Sequence, residues 1–250
     1  MAQMKVGIQL IIYGDRVRQD LEGVLREVKS VGYEGIETGN LFTIADPEKV
    51  LGLLKEHDLA VAGVHVGYND VADEGKLSEH MEYLKRVGGK FLICSGVAKS
   101  EGIKAYEEAA ETFNAVGKKC AEAGLTFCYH NHAWEFESFD GVKGIHKLAE
   151  LTDPKLVRLC VDVYWVTIGG EDPVEFIRRY IERSIYFHFK DGSPGEFTEL
   201  GKGRVNLIGC FHAIKEANAE WLIYEQDRTS KAVIDSIRES MEYLRKLMAS

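Results

Sequence analysis

Short β-rich runs alternate with longer amphipathic stretches eight times along the chain, and this repeat constrains the fold more than any other feature. Such alternation predicts a parallel sheet covered by helices. Eight strand and helix pairs in 250 residues match a (β/α)8 TIM barrel in number and in size. The expected strands are residues 5–12, 35–38, 61–66, 91–95, 126–132, 157–163, 185–190 and 221–225.

Helix signals between the strands agree with this prediction. The stretch DLEGVLREVKSVG places its apolar residues at a helical period and stops at Gly32. Asp46 and Asp172 each precede a proline, a pattern typical of a helix N-terminus. The rival fold, an open doubly wound sheet, usually has a glycine-rich phosphate turn after its first strand, and no G-x-G-x-x-G occurs there. We therefore expect residues 1–250 to form one TIM-barrel domain.

Composition limits the class of partner. Hydrophobic residues make up 45% of the chain and charged residues 28%, which is typical of a globular protein with a sizeable core. The formal net charge of -9 argues against nucleic acid, because nucleic-acid binding draws most of its affinity from Lys and Arg on phosphates. A small ligand, neutral or chelated by a metal, fits this charge better.

No apolar stretch approaches the ~18 residues that a membrane span needs, so no membrane partner is expected. The amino terminus has the pattern of a first strand and not that of a signal peptide. The five cysteines are scattered and lack a C-x-x-C spacing, which favours reduced, buried thiols of a cytoplasmic protein. A homo-oligomer is compatible with the sequence, although no interface is indicated.

Ionisable side chains stand at the carboxyl ends of the last four predicted strands, where barrel enzymes place their active sites. Burying these groups is unfavourable unless they pair with one another or with a cation. One imidazole and two carboxylates among them form a mixed N/O set suited to one divalent ion, Mn²⁺, Mg²⁺, Co²⁺ or Zn²⁺. Any one of these residues, taken alone, has a structural role as often as a functional one. The residues are His130, His132, Asp162, His188, Lys190 and Glu225, of which Asp162, His188 and Glu225 are the expected ligands.

Several motifs in a fixed order extend this pattern over nearly the whole chain. They are GYEGIE at 32–37, YHNH, DVYW followed by GGEDP, HFKD, GKGRVN at 201–206 and YEQD. In these motifs the sequence resembles the sugar phosphate isomerase/epimerase superfamily. Its xylose isomerase-like barrels include ketose 3-epimerases, hydroxypyruvate isomerase, inosose dehydratase and endonuclease IV.

The resemblance implies a ligand set with one departure. The family's epimerases hold a metal by Glu, Asp, His and Glu from strands five to eight, and Asp162, His188 and Glu225 match the last three. His130 stands where those enzymes have the first Glu, so it is expected as a ligand or as a proton shuttle. Inosose dehydratases resemble this chain in their His-rich strand-five ends. Trp165 stands where epimerases often place a substrate-binding His.

The function expected from the residues and the resemblance is that of a metal-dependent isomerase/epimerase acting on a ketose or related polyhydroxylated carbonyl compound through an enediolate. Glu225 or His130 would be the base, His132 an acid, and Lys190 an oxyanion stabiliser or proton donor. The alternative for Lys190 is a structural pair with Asp191 or with a ligand carboxylate. Other functions left open are a dehydratase of an inosose, a lyase of a 3-keto sugar and, less favoured, a non-catalytic sugar-binding barrel.

Weaker expectations concern the rest of the cavity. Glu37 ends the second predicted strand and His65 the third, so both are candidates for substrate binding together with Trp165. Gly201 and Gly203 follow strand seven, where many barrels bind phosphate, but a simple turn explains them equally well. A phosphodiester endonuclease is disfavoured by the acidic charge and the short list of ligands.

Overall fold

The computed structural model describes residues 4–217 and 219–249, and in this part of the chain eight parallel strands form a closed barrel. Each strand pairs with its neighbours in the sequence, and the last strand closes on the first. This confirms the predicted (β/α)8 TIM barrel. The strands are β1 (Lys5–Gln9), β2 (Gly35–Thr38), β3 (Ala60–Gly67), β4 (Phe91–Ser95), β5 (Thr126–His130), β6 (Val157–Asp162), β7 (Ser184–Phe189) and β8 (Trp221–Tyr224).

Helices connect the strands and surround the barrel. None of the helices in the described ranges is long and apolar enough to cross a membrane. They are α1 (Arg16–Gln19), α2 (Leu21–Val31), α3 (Pro47–Glu56), α4 (Tyr68–Ala72), α5 (Glu74–Val87), α6 (Lys104–Glu122), α7 (Gly144–Leu151), α8 (Val163–Ile168), α9 (Pro173–Arg179), α10 (Leu207–Glu216) and α11 (Val233–Met248). Short 3₁₀ turns cover Leu10–Tyr13, Leu41–Thr43 and Trp134–Phe136. Two small hairpins pair Ser138–Phe139 with Val142–Lys143 and Asp191–Ser193 with Glu196–Thr198.

The predicted helix ends are confirmed by their caps. Asp46 and Asp172 each accept hydrogen bonds from two backbone N–H groups in the first turns of α3 and α9. Gly32 ends α2 with a φ of 102°, in the left-handed region that favours glycine.

Five strands end one to three residues earlier than the sequence indicated, and three of them stop where the chain turns at a polar residue inside an apolar run. The Gln9 side chain accepts the N–H of Ile11 at 2.6 Å, and β1 gives way to a 3₁₀ turn. Asp162 accepts the N–H of Trp165 at 3.0 Å and thereby caps α8, so β6 stops at Asp162. β5 stops at His130 and leaves His132 in the following loop. These turns bring the polar side chains to the mouth of the barrel.

The barrel interior is an apolar cluster to which the two halves of the barrel contribute unequally. Gly7, Gly35 and Gly63 lie on β1 to β3 where a side chain would collide with residues from other strands. The cluster consists of Ala62, Phe91, Ile93, Cys128, Cys160, Ile185, Tyr186, Trp221 and Ile223. Cys128, Cys160, Tyr186 and Ile223 each stand two residues before an expected site residue on the same strand, so the site forms the next layer above this cluster.

Candidate active site

His130, Asp162, His188 and Glu225 meet at the carboxyl ends of β5 to β8. His130 and Asp162 are the last residues of their strands, His188 is next to last in β7, and Glu225 directly follows β8. All four are buried, with 5% or less of each residue exposed. One ligand atom from each lies within 4.8 Å of the ligand atoms of the other three. The four residues expected as metal ligands therefore come together.

The facing atoms of these residues have no hydrogen-bond partners. They are Nε2 of His130, Oδ2 of Asp162, Nδ1 of His188 and Oε2 of Glu225, and none is satisfied by a group in the described residues. His130 Nε2 and Asp162 Oδ2 are 3.6 Å apart, while His188 Nδ1 and Glu225 Oε2 are 2.6 Å apart without hydrogen-bond alignment. Unpartnered buried polar atoms are rare and costly. Two imidazole nitrogens and two carboxylate oxygens that converge in this way fit a divalent cation.

Three of these residues are anchored through their other polar atom. The second oxygen of Asp162 caps α8. The Oε1 of Glu225 accepts a hydrogen bond from Lys190 at 3.0 Å, and His188 Nε2 lies 2.8 Å from Oε2 of Glu37. Anchoring of this kind orients metal ligands in other proteins. The facing atoms are thus presented by side chains that are already held.

The electrostatics of three of the four side chains suits a cation, whereas His188 must release a proton to bind one. Burial acts to lower the pKa of His188, but Cys160, Glu37 and Glu225 outweigh it and raise that pKa well above its usual value. Burial, together with the neighbouring His188, lowers the pKa of His130 well below its usual value, so that this ring is neutral with a lone pair available. Burial raises the pKa of Asp162 to about 6 despite the nearby Lys190 ammonium. Burial also acts to raise the pKa of Glu225, but Lys190 and His188 outweigh it and hold that pKa well below its usual range.

Lys190 is paired with carboxylates beside the centre. It donates to Glu225 and forms an ion pair with Asp227. Its ammonium lies 4.7 Å from the ring centroids of both Trp165 and Phe197. Burial opposes the charged form, but Glu225 and the other nearby carboxylates outweigh it and raise the pKa of Lys190. Lys190 could have paired with Asp191 or with a carboxylate of the expected ligand set. It pairs with the second of these, the carboxylate of Glu225.

Asp191 takes up the backbone donors of the loop after β7. Its Oδ2 accepts from Gly201 N at 2.9 Å and Gly203 N at 3.0 Å, and its Oδ1 accepts from Val205 N at 3.1 Å. These N–H groups are the donors that a phosphate would require in this loop. The Asp191 carboxylate therefore occupies the place that a phosphate would take. This agrees with the interpretation that Gly201 and Gly203 only form a turn.

Glu37 and His65, expected at the substrate, are joined to each other and to the centre. The Glu37 carboxylate is fully buried, with Oε1 2.9 Å from His65 Nδ1 and Oε2 2.8 Å from His188 Nε2. His65 Nε2 in turn lies 3.2 Å from the Ser95 hydroxyl. Burial acts to raise the pKa of Glu37, but His188 and His65 outweigh it and lower that pKa to about 2.

His132 and two tryptophans form one wall beside the centre. The His132 ring stacks on Trp134 with centroids 3.9 Å apart and rings inclined by 14°. It lies 5.6 Å from Trp165 and 4.8 Å from His130, measured between ring centroids. Burial, together with His130, lowers the pKa of His132 to about 3. Trp134 remains 45% exposed and extends the wall toward solvent.

Sequence reasoning missed three residues near the site. Asp227 stands two positions after Glu225, so strand periodicity was a usable signal for it. Ser95 ends β4 at the same layer as the site and was also accessible to this argument. Glu135 gave no such signal, because it lies in a short acidic stretch that looks exposed. It is fully buried and accepts hydrogen bonds from Tyr129 Oη and His132 N.

The fold and this polar centre define a TIM barrel with a candidate metal site at its carboxyl face. The xylose isomerase-like TIM barrel family matches residues 25–247, and the chain belongs to that family. The predicted resemblance is thereby confirmed, and with it the prediction of an enzyme from this superfamily.

Two relatives and one solved structure are among the most similar proteins. Inosose dehydratase from Mesomycoplasma hyopneumoniae (strain 7448) is 26% identical over an alignment of 296 positions, gaps included, covering 100% of this chain and 98% of that protein. Inosose dehydratase from Geobacillus kaustophilus is 28% identical, covering 86% of this chain and 82% of that protein. A crystal structure of a sugar phosphate isomerase/epimerase from Parabacteroides distasonis has a TM-score of 0.80 at 22% identity, covering 98% of this chain and 94% of that one.

Proposed function

We propose that this chain is a divalent-metal-dependent enzyme that acts on a polyhydroxylated ketone. It removes a proton from the carbon next to the carbonyl, the α carbon, and expels the hydroxyl of the β carbon as water. The observation that carries the proposal is the convergence of four buried, unpartnered ligand atoms from His130, Asp162, His188 and Glu225. A bound divalent ion would polarise the carbonyl and acidify the adjacent C–H. These four residues would hold it.

The residues of the chain supply the proton transfers. Glu225 is the proposed base, since Lys190 and His188 keep it ionised. It takes the proton from the α carbon, and the electron pair of that C–H bond forms the enediolate. The pair then forms a C=C bond as the C–O bond to the β-hydroxyl breaks. Lys190, whose ammonium lies beside Glu225, donates the proton with which the hydroxyl leaves as water, because His132, with its pKa lowered to about 3, is neutral.

Loss of water is favoured over epimerisation by the strand-five position. Epimerisation needs a proton acceptor on one face of the substrate and a donor on the other, and the family's epimerases use two carboxylates. Here the strand-five residue is His130, a buried neutral imidazole. The inosose dehydratases among the relatives match the whole or most of this chain, which supports an inosose or a similar cyclic polyhydroxylated ketone as substrate.

Isomerisation or epimerisation of a ketose is the second candidate. It shares the first proton transfer, and His130 is near enough to the centre to return the proton. The resemblance to epimerases at Asp162, His188 and Glu225 favours it. A lyase that expels a larger group from a 3-keto sugar would use the same residues.

The test is metal analysis of the purified protein, followed by NMR and mass spectrometry in D₂O with inososes, ketoses and 3-keto sugars. One divalent ion per chain and a product lighter by one water are expected. Deuterium uptake without loss of water would favour the second candidate, and a metal-free protein that exchanges no proton would overturn both. Asp162→Asn should lose the metal, whereas Asp58→Asn, a change on the surface, should not.

A further inference from the structure

Glu37 reaches across the mouth of the barrel to a residue on a strand that is not its neighbour. It lies on β2, whereas His188 lies on β7, and β1 and β8 separate these two strands in the sheet. Their contact joins residues 151 positions apart. The fully buried carboxylate uses both oxygens, one toward His188 and one toward His65. A buried carboxylate with two imidazole partners is a specific arrangement that packing alone does not require.

The contact determines which His188 nitrogen faces the centre. Nε2 lies 2.8 Å from the Glu37 carboxylate, which can only accept a hydrogen bond, so Nε2 keeps its proton and cannot bind a cation. Nδ1 then faces Glu225, Asp162 and His130, and Nδ1 is the atom that has no hydrogen-bond partner in the described chain. One side of the ring is thus committed to Glu37 and the other to the centre.

We propose that Glu37 is a positioning residue that fixes the tautomer and the orientation of His188, so that the Nδ1 lone pair points at the metal. The inference rests on the metal centre of the proposed function. Glu37 acts through His188 and does not itself touch the substrate. In known metal sites, carboxylates that hold a ligating His in this way raise metal affinity by about 10–100-fold.

His65 and Ser95 make the carboxylate rigid. His65 Nδ1 lies 2.9 Å from Oε1 of Glu37, and His65 Nε2 lies 3.2 Å from the Ser95 hydroxyl. Neither oxygen of Glu37 can rotate away from its partner without breaking one of these bonds. The hydrogen-bonded series Ser95, His65, Glu37 and His188 therefore links the ends of β4, β3, β2 and β7.

A second metal ion at Glu37, His65 and His188 is the competing interpretation, since these residues also form a group of possible ligands. Their facing atoms, however, are 2.8–2.9 Å apart and satisfy one another as hydrogen bonds. The ligand atoms of the first centre form no aligned hydrogen bond, although His188 Nδ1 and Glu225 Oε2 lie 2.6 Å apart. This difference favours Glu37 and His65 as residues that hold the ligand His188 in place, and not as ligands of a second metal ion.

The experiment measures Co²⁺ and Zn²⁺ affinity of the full chain by competition with a chelator, independently of turnover. Glu37→Gln should weaken binding by about 10–100-fold. Glu199→Gln is the matched control, because Glu199 is a buried, hydrogen-bonded carboxylate outside the site, and it should change binding less than about twofold. Unchanged affinity in Glu37→Gln would overturn the inference and leave the proposed function standing. Two Co²⁺ per wild-type chain, one of them lost in Glu37→Gln, would also overturn it.

A measurement on the wild-type protein covers the case in which Glu37→Gln does not fold. In the ¹⁵N-labelled, Zn²⁺-loaded chain, His188 should show a metal-bound Nδ1 and a slowly exchanging proton on Nε2 at low field. The opposite tautomer, with Nε2 on the metal, would overturn the inference. A wild-type chain that binds no divalent ion would overturn the proposed function and this inference with it.

Discussion

Two clusters of histidines and carboxylates occupy the same end of the barrel, and they differ in how their polar atoms are satisfied. In the first half, Glu37 and His65 form hydrogen bonds at every facing atom. In the second half, His130, Asp162 and Glu225 present atoms that have no hydrogen-bond partner in the described part of the chain. The same residue types thus bond to one another in one half and form a candidate ligand set in the other. The two clusters differ in whether their polar atoms have hydrogen-bond partners, and not in the types of residue that form them.

His188 belongs to both clusters and connects them. Its two ring nitrogens point in opposite directions, Nε2 to Glu37 and Nδ1 to Glu225. A change at Glu37 would therefore be transmitted through this ring to the nitrogen that faces Glu225. The variants of Glu225, His130 and His65 below each change one cluster and leave the other in place.

The largest effect is expected from the second cluster itself. Glu225→Gln removes the proposed base and one ligand charge while it keeps the size of the side chain. Turnover of the best substrate from the panel should fall by about 10²–10⁴-fold. Steady-state kinetics at saturating metal measures it, with the surface variant Asp58→Asn as control. Turnover within threefold of wild type would show that the unpartnered atoms of this cluster are not the reactive centre.

The fold and the second cluster were open to prediction, because both depend on short-range periodicity. Eight strands could be read from local alternation, and His130, His188 and Glu225 follow from their positions at strand ends. The link from Glu37 to His188 could not be read in this way. It joins strands that are not neighbours, and only the curvature of the closed barrel brings them together.

A matched pair of histidines tests the comparison directly. His130→Gln removes an unpartnered nitrogen from the second cluster, whereas His65→Gln alters a ring whose nitrogens are both bonded. We expect metal affinity to fall at least about 100-fold in the first variant and no more than about 10-fold in the second. Isothermal titration with Zn²⁺ gives both values. Equal losses would mean that the two clusters contribute alike to metal binding.

Glu37 and Glu135 are both buried, but they have different hydrogen-bond partners, and their pKa values are shifted in opposite directions. Glu37 faces two histidines, whereas Glu135 accepts from a Tyr hydroxyl and a backbone N–H. Burial raises the pKa of Glu135 to about 7, above its ordinary value near 4.5. A raised folded-state pKa gives stability that is present below the unfolded pKa and is lost as pH rises through about 7. The metal-free protein should therefore lose up to about 3 kcal/mol from this group between pH 4.5 and 7.

Urea unfolding at several pH values measures this contribution. In Glu135→Gln, which cannot ionise, the fall in unfolding free energy over that pH range should flatten. The absolute stability of the variant is not diagnostic, because an amide oxygen cannot replace both acceptor oxygens of the carboxylate. An unchanged pH dependence would show that Glu135 is not the group that titrates.

The smallest effect concerns the apolar layer beneath the two clusters. A Cβ at Gly35 would lie 2.6 Å from a ring carbon of Trp221 and 2.9 Å from the Ala60 carbonyl oxygen, whereas nothing lies within 4 Å of a Cβ at Gly39. Gly35→Ala should lower the unfolding free energy by about 1–3 kcal/mol through overpacking, and Gly39→Ala should leave it nearly unchanged. Urea unfolding compares the two. If Gly35→Ala is as stable as wild type, the first half of the barrel does not need its small residues to make room for the large side chains of the second.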